Sequence, residues 1–296
     1  MIAAQRRRLS DRRWHFQHGP IDLIIGVEGD ARAVDEALES AWRRFGGVLE
    51  ELVGELPLLR SACPVDCEAP RARGAVAQRM IEACTPFARR FGLFVTPMAA
   101  VAGSVAQEIV ASFAREGIDR AWVNNGGDVA FRLAPGASLD VGVVGNVDVP
   151  SVDGRLHLSH ADPVRGLATS GWRGRSLSLG IADSVTVVAA SAALADAAAT
   201  LVANAVNVEH DAVRRAPASM VRDDSDLGER LVTIDVGALP APLVDEALAA
   251  GADFARRCVD EGLAAQVLLS LQGRSSIVAG RSFALDSTPT HSWALA

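Results

Sequence analysis

Residues 192–208 form a run of Ala, Leu and Val whose only polar side chains are Asp196, Thr200, Asn204 and Asn207. Offsets of four, four and three place all four on one stripe of a helix. A helix facing water shows a broad charged face, as the segment after Asp30 does. This stripe is narrow and carries one charge. It predicts a mostly buried helix whose stripe faces an internal site; the plainer alternative is an amphipathic helix with its polar side in water. Asp196 and Thr200 stack one turn apart. A carboxylate and a hydroxyl at that spacing suit a hard cation such as Mg2+, which takes oxygen ligands.

Three further segments could bind a ligand. Asn124-Asn125-Gly126-Gly127-Asp128 is either a plain hairpin turn or a glycine turn whose N–H groups face a phosphate or a flat ring. The segment GLATSGWRGRSLSLGIAD combines Thr169, Ser170 and Gly171 with Arg173 and Arg175, whose forked guanidiniums suit phosphate or carboxylate. Its alternative is a polar surface turn. Thr96 to Ser104, which includes Gly103, leads into a helix whose first N–H groups suit an anion or a carbonyl. Asp128 and Asp183, beside the first two segments, are candidate catalytic carboxylates. His18, His157 and His160 are candidate acids or bases, with surface histidines as the default. Cys63 and Cys67 are read as reduced thiols, a disulfide or redox pair between them being the sharper alternative.

Composition narrows the chemistry. All 29 basic residues among the 296 are arginine. A lysine Schiff base, a Walker-A lysine and a protein kinase are therefore excluded. A net charge of -7 argues against a nucleic-acid partner. The one basic run, from Arg6 to Arg13, is expected to be a solvated terminus. No stretch is apolar enough to span a membrane and no apolar h-region follows the start, so a cytoplasmic protein with no membrane partner is expected.

The elements that must position these residues mix hairpins with helices. Strands are expected on either side of His18-Gly19-Pro20. A helix follows from Asp30, broken at Gly46-Gly47. A loop over 57–73, helices over 74–90 and 101–116, and a strand series from Ala121 come next. The stretch 146–162 reads as turn-rich. A buried strand over 184–189 feeds the 192–208 helix. Beyond it lie a strand at 231–236, a helix over 242–262, and strands at 264–271 and 275–279. The pattern predicts an α+β fold or layered α/β sandwich, in a single domain over 1–296 with its core at 14–271 and tails at 1–12 and 284–296.

In order, the blocks TPMAAVAGSVAQE, VNNGGDVAF, ATSGWRGRSLSLGIADSVTV and ADAAATLVANAV resemble the ApbE-like proteins of bacteria and archaea. These form a branch of the superfamily best known for FAD:protein FMN transferases. The resemblance spans most of the chain and implies a tunnelling-fold (T-fold) α/β sandwich. Such folds bind flat purine, pterin or flavin rings and often assemble as homo-oligomers. The transferases hold Mg2+ with the Asp and Thr of an Ala-Asp-x-x-x-Thr helix, matched by Ala195-Asp196 and Thr200. Their Gly-Gly-Asp turn beside the flavin matches Gly126, Gly127 and Asp128, and their Ser-Gly matches Ser170-Gly171. Two features depart. Gly103 and Ser104 stand where the transferases have Lys-Gly. No His lies between Gly171 and Ser184, where the transferases carry the His that activates the target threonine. His160-Ala161-Asp162-Pro163 precedes the Ser-Gly and is in the wrong order. The resemblance implies an enzyme binding FAD or FMN with Mg2+, acting by phosphoryl or nucleotidyl transfer or cleavage. An enzyme for a pterin-like or aromatic acid and a non-catalytic heterocycle-binding protein stand as alternatives.

Overall fold

The computed structural model describes residues 3–9, 13–143 and 154–280. The expected tail at 284–296, and residues 146–153 of the expected turn-rich stretch, lie outside them. The chain is organised as two compact units interleaved along the sequence. One holds Met1–Leu139, Leu158–Ala168 and Ala190–Ala197; the other holds Asp140–His157, Thr169–Ala189 and Ala198–Ala296.

The first unit contains β1 (Gln5–Arg8), β2 (Trp14–His18), β3 (Ile21–Gly29), α1 (Ala31–Val53), α2 (Leu56–Leu59), α3 (Ala75–Phe91), α4 (Val101–Val110), β4 (Ile118–Asn125) and β5 (Asp128–Leu133). A 3-10 turn, Pro97–Ala100, runs directly into α4. β1 to β5 pair in sequence order, each antiparallel to the next. Alternation along β3 and β4 sends Leu23, Ile25, Ala121 and Val123 into the core, where α1 and α4 lie on the sheet. Phe16 meets Trp42 edge-on at 5.1 Å and Phe45 at 5.5 Å. Glu108 of α4 accepts from Arg44 of α1 at 2.6 Å and Arg79 of α3 at 2.9 Å, tying the three helices together.

Two expectations fail in this unit. Asp30 caps α1 through the N–H groups of Arg32 and Ala33, but the helix does not break at Gly46-Gly47. Each glycine costs about 1 kcal/mol in a helix. Burial of Phe45, Val48 and Leu52 on one face returns about 1.5–3 kcal/mol per side chain, so packing wins. Residues 5–8, expected in a tail, form the edge strand β1. Its Arg6 pairs with Glu39 at 2.6 Å and lies over Trp42.

Next in the chain come β6 (Ser138–Val143), β7 (Gly154–Ser159), β8 (Gly166–Ser170), β9 (Ser184–Ala189) and α5 (Ala192–Ala205). β10 (Val213–Pro217), α6 (Ala218–Val221), β11 (Leu231–Val236), α7 (Ala241–Asp260), β12 (Gln266–Leu271) and β13 (Arg274–Ala279) complete it. β6, β7, β8 and α5 carry residues of both units. In the first, Gly166 and Leu167 of β8 continue the pairing at β5. In the second, β9, β12 and β13 are antiparallel neighbours, and α7 packs on β12 and β13. Every residue of β9 is buried, as its apolar run predicts. β10 and β11 form a separate pair. β7 and β10 are strands that polar composition concealed: in β7, buried Leu156 and Leu158 alternate with Arg155 and His157. The architecture is α+β and layered, with helices laid on antiparallel sheet. Among the described residues no helix is long and apolar enough to cross a membrane.

Candidate functional site

The first turn of α4 meets the first turn of α5. A Cβ on Gly103 would lie 2.2 Å from the Ala192 carbonyl oxygen and 2.9 Å from Asp196 Cβ, so only glycine permits this approach. The Gly103 N–H donates to Asp196 Oδ2 at 2.9 Å, and the Ala102 N–H also hydrogen-bonds the carboxyl. The α4 start expected to bind an anion therefore holds one from the chain itself. Asn125 Nδ2 donates to the Ala102 carbonyl at 3.1 Å, fixing this turn against β4. Burial pushes the Asp196 carboxyl up to about 7, with the two backbone N–H groups pulling the other way. Among the described residues it has no cationic partner.

The stripe on α5 divides. Asn204 Oδ1 accepts the Leu179 N–H at 2.9 Å and the Ser178 hydroxyl at 3.3 Å. Asn207, just past the helix, accepts from Arg215 at 2.5 Å. Both asparagines hold neighbouring chain rather than face an open site, so the stripe expected to serve one site does not do so throughout. Thr200 is half-buried one turn beyond Asp196. Among the described residues no group of three or more His, Cys, Asp or Glu could hold a metal.

Gly126 and Gly127 close the β4–β5 hairpin as a two-residue loop between paired Asn125 and Asp128, with φ of 68° and 116°. Those angles demand glycine. The Gly127 N–H donates to Asn124 Oδ1 at 2.8 Å, so this N–H is already engaged. Space beside Gly127 is open. Asn125 and Asp128 are buried at the strand ends. Thr96 is buried ahead of the 3-10 turn, and Ser104 is fully buried with no hydrogen-bond partner for its Oγ.

In the second unit, Asp183 is an anchor. Its carboxylate accepts the Gln272 N–H at 2.6 Å, and Trp172 Nε1 and Arg173 Nε at 3.3 Å each. The Arg173 guanidinium also lies 4.5 Å from the Trp172 ring centre. Arg175 is exposed, and its carbonyl accepts from Arg222. Thr169 and Thr186 share a hydroxyl hydrogen bond at 2.8 Å; Ser170 is half-buried at the end of β8. The glycine density of this segment has a packing cause. A Cβ on Gly171 would lie 2.3 Å from the Asp183 carbonyl oxygen, and one on Gly180 2.1 Å from that of Ala203.

Among the histidines, His18 departs from the surface default. His18 is 4% exposed rather than a surface residue, and its Nδ1 has no partner. His157 pairs with Asp140 at 2.7 Å, and His160 bonds the Leu133 carbonyl at 2.8 Å. None of the four cysteines, all among the described residues, is in a disulfide. The thiol beside Cys63 is Cys84 of α3, which sequence spacing did not single out.

A family model described as AbpE bacteria matches residues 6–277. The UPF0280 protein of Methanosarcina acetivorans is 31% identical over 201 residues, covering 67% of this chain and 74% of that protein. The UPF0280 protein of Methanococcoides burtonii is 32% identical over 205 residues, covering 68% and 81%. Among solved structures, the apo flavinyl transferase ApbE of Pseudomonas stutzeri aligns with a TM-score of 0.43 at 11% identity, covering 96% of this chain and 95% of that one. The apbe protein of Thermotoga maritima aligns with a TM-score of 0.42 at 14% identity, covering 95% and 97%. Matched by the family model from β1 to β13, and by archaeal relatives over two thirds of its length, the chain belongs to the ApbE-like family.

Proposed function

We propose that the chain is an ApbE-like enzyme that binds FAD or a similar flat heterocycle together with Mg2+ and performs phosphoryl or nucleotidyl transfer or cleavage. The observation that supports this reading is the Asp196 carboxyl, half-buried, anchored by backbone N–H groups and short of a compensating positive charge. Mg2+ uses one or two carboxylates and completes its shell with water and substrate phosphate, so a site with one carboxylate fits it. Asp196 and Thr200 would hold the cation. When bound, it would offset negative charge on substrate phosphates.

The chain's own residues divide the remaining work. The Ala102 and Gly103 N–H groups orient Asp196. The Gly126-Gly127 turn leaves open space for a flat group. In the second unit, taken by itself, Arg175 is exposed and suits an anion, while Arg173 is engaged by Asp183. Protein flavinylation of the transferase kind is not part of the proposal, because no His lies between Gly171 and Ser184. That same absence favours a second reading, a protein that binds the nucleotide without turning it over. Incubation with FAD and Mg2+, followed by chromatography of the nucleotides, separates the two. Release of AMP and FMN supports the enzyme. Bound but intact FAD supports the binding protein, and failure to bind FAD refutes the flavin form of both.

A further inference from the structure

The Cys63 N–H donates to the Val95 carbonyl at 2.8 Å. The Cys84 thiol, on α3, points at the Pro97 carbonyl at 3.9 Å. Val95 and Pro97 are two residues apart, so both cysteines lean on the same short stretch ahead of α4. Their thiols lie within hydrogen-bond reach of each other, with the Thr85 hydroxyl alongside. Cys63 is 6% and Cys84 0% exposed, while Cys67 stands in solvent. The hydrogen bond with Cys84 holds the Cys63 thiol below the usual thiol range, outweighing burial. Cys258 shows the opposite: burial pushes its thiol up to about 12. An incoming disulfide reaches Cys63 before the fully covered Cys84, and Cys258, whose thiol burial holds protonated, is an internal control.

We propose that Cys63 and Cys84 form a reversible intramolecular disulfide that links the loop after α2 to α3. The oxidant is a low-molecular-weight disulfide. The Cys63 thiolate attacks one of its sulfurs, forming a mixed disulfide and expelling one thiolate. Cys84, deprotonated, then attacks the Cys63 sulfur and expels the second. The two protons of the protein thiols end on the two small thiols, so one disulfide is reduced as one is made.

The lysine-free sequence makes the test clean, because trypsin then cuts only after arginine. Residues 61–71 carry Cys63 and Cys67 in one peptide, and residues 80–89 carry Cys84. The folded full chain is treated with oxidised glutathione, its remaining thiols are alkylated, and the digest is analysed by mass spectrometry. The expected result is a reducible link between peptides 61–71 and 80–89, with Cys258 alkylated. The link should persist in Cys67→Ser and vanish in Cys84→Ala. In a glutathione buffer it should be at least about tenfold more populated in the folded chain than in the guanidinium-unfolded chain. A loop within peptide 61–71 in place of the link, or equal linkage in the folded and unfolded chains, would overturn the proposal. So would survival of both thiols in the free state. These readouts need no turnover and stand apart from the fate of FAD.

Discussion

Replacing Asp196 by Asn probes the central electrostatic claim. Asn keeps a side-chain oxygen for the Gly103 N–H but cannot ionise. In the wild type, burial raises the carboxyl from 3.8 to about 7 on folding. The folded state therefore keeps its proton at pH values where the unfolded chain has lost it. By linkage, stability falls as pH rises from 3.8 to about 7 and is flat above that. At about 1.36 kcal/mol per unit, the full loss is about 4 kcal/mol, of which about 1.5 has accumulated by pH 5. The Asp196→Asn variant escapes it. That variant should thus be more stable than wild type at pH 8, and its advantage should grow by about 2–3 kcal/mol between pH 5 and pH 8. Urea melts at the two pH values, with Mg2+ removed by chelator, measure this. Parallel pH curves for the two proteins would refute the buried-carboxylate reasoning. Saturating Mg2+ adds a second arm. A ligand at 100 times its dissociation constant stabilises by about 2.7 kcal/mol. That gain should appear at pH 8 in wild type and be absent in the variant. Equal gains in both would remove Asp196 from the cation site.

Other outcomes follow from single contacts. Gly103→Ala should destabilise by about 2–4 kcal/mol in denaturant melts, because its Cβ would meet the Ala192 backbone. Gly127→Ala should cost about 1–2 kcal/mol, since the space is open but its φ is positive. Asn204→Ala should cost about 1–3 kcal/mol by leaving the Leu179 N–H without its partner. Asp183→Ala should loosen the Trp172 turn, lowering stability by about 1–3 kcal/mol and shifting tryptophan emission to the red.

Much of the fold was legible in the sequence because hydrophobic period survives wherever one face is buried. The β2–β3 hairpin and α7 carry that period, and the unbroken apolar run of β9 marks a strand buried on both faces. What failed was local composition read without tertiary context. Gly46-Gly47 signals a break, but the buried face of α1 overrides it. β7 and β10 hide behind Arg, His and Pro. The site was legible in parts and not in its connections. Asp196 and the start of α4 both stood out, yet 93 residues separate Asp196 from Gly103 and nothing in their spacing says that one fills the other. The crowded glycines of 166–180 suggested anion binding, whereas Gly171 and Gly180 admit neighbouring backbone. The Cys63–Cys84 contact was illegible for the same reason, since the nearer Cys67 drew attention to the wrong partner.

The contact between α4 and α5 recasts the missing lysine. A side chain at residue 103 is excluded by the Ala192 carbonyl, so this position could carry neither the Lys found in flavin transferases nor an Arg without moving α4 away from α5. With no cationic side chain there, positive charge near Asp196 comes from two backbone N–H groups and the α4 dipole, worth about half an elementary charge. That is too little to keep a buried carboxyl ionised below neutral pH, which its upward shift reflects. A Lys at this point would compete electrostatically with a cation for the same carboxylate. With Gly103 in that place no such competitor stands beside Asp196, and its carboxyl keeps its proton up to about neutral pH. The glycine that departs from the transferase pattern is therefore compatible with the proposed cation at Asp196, which would draw the proton off that carboxyl at lower pH.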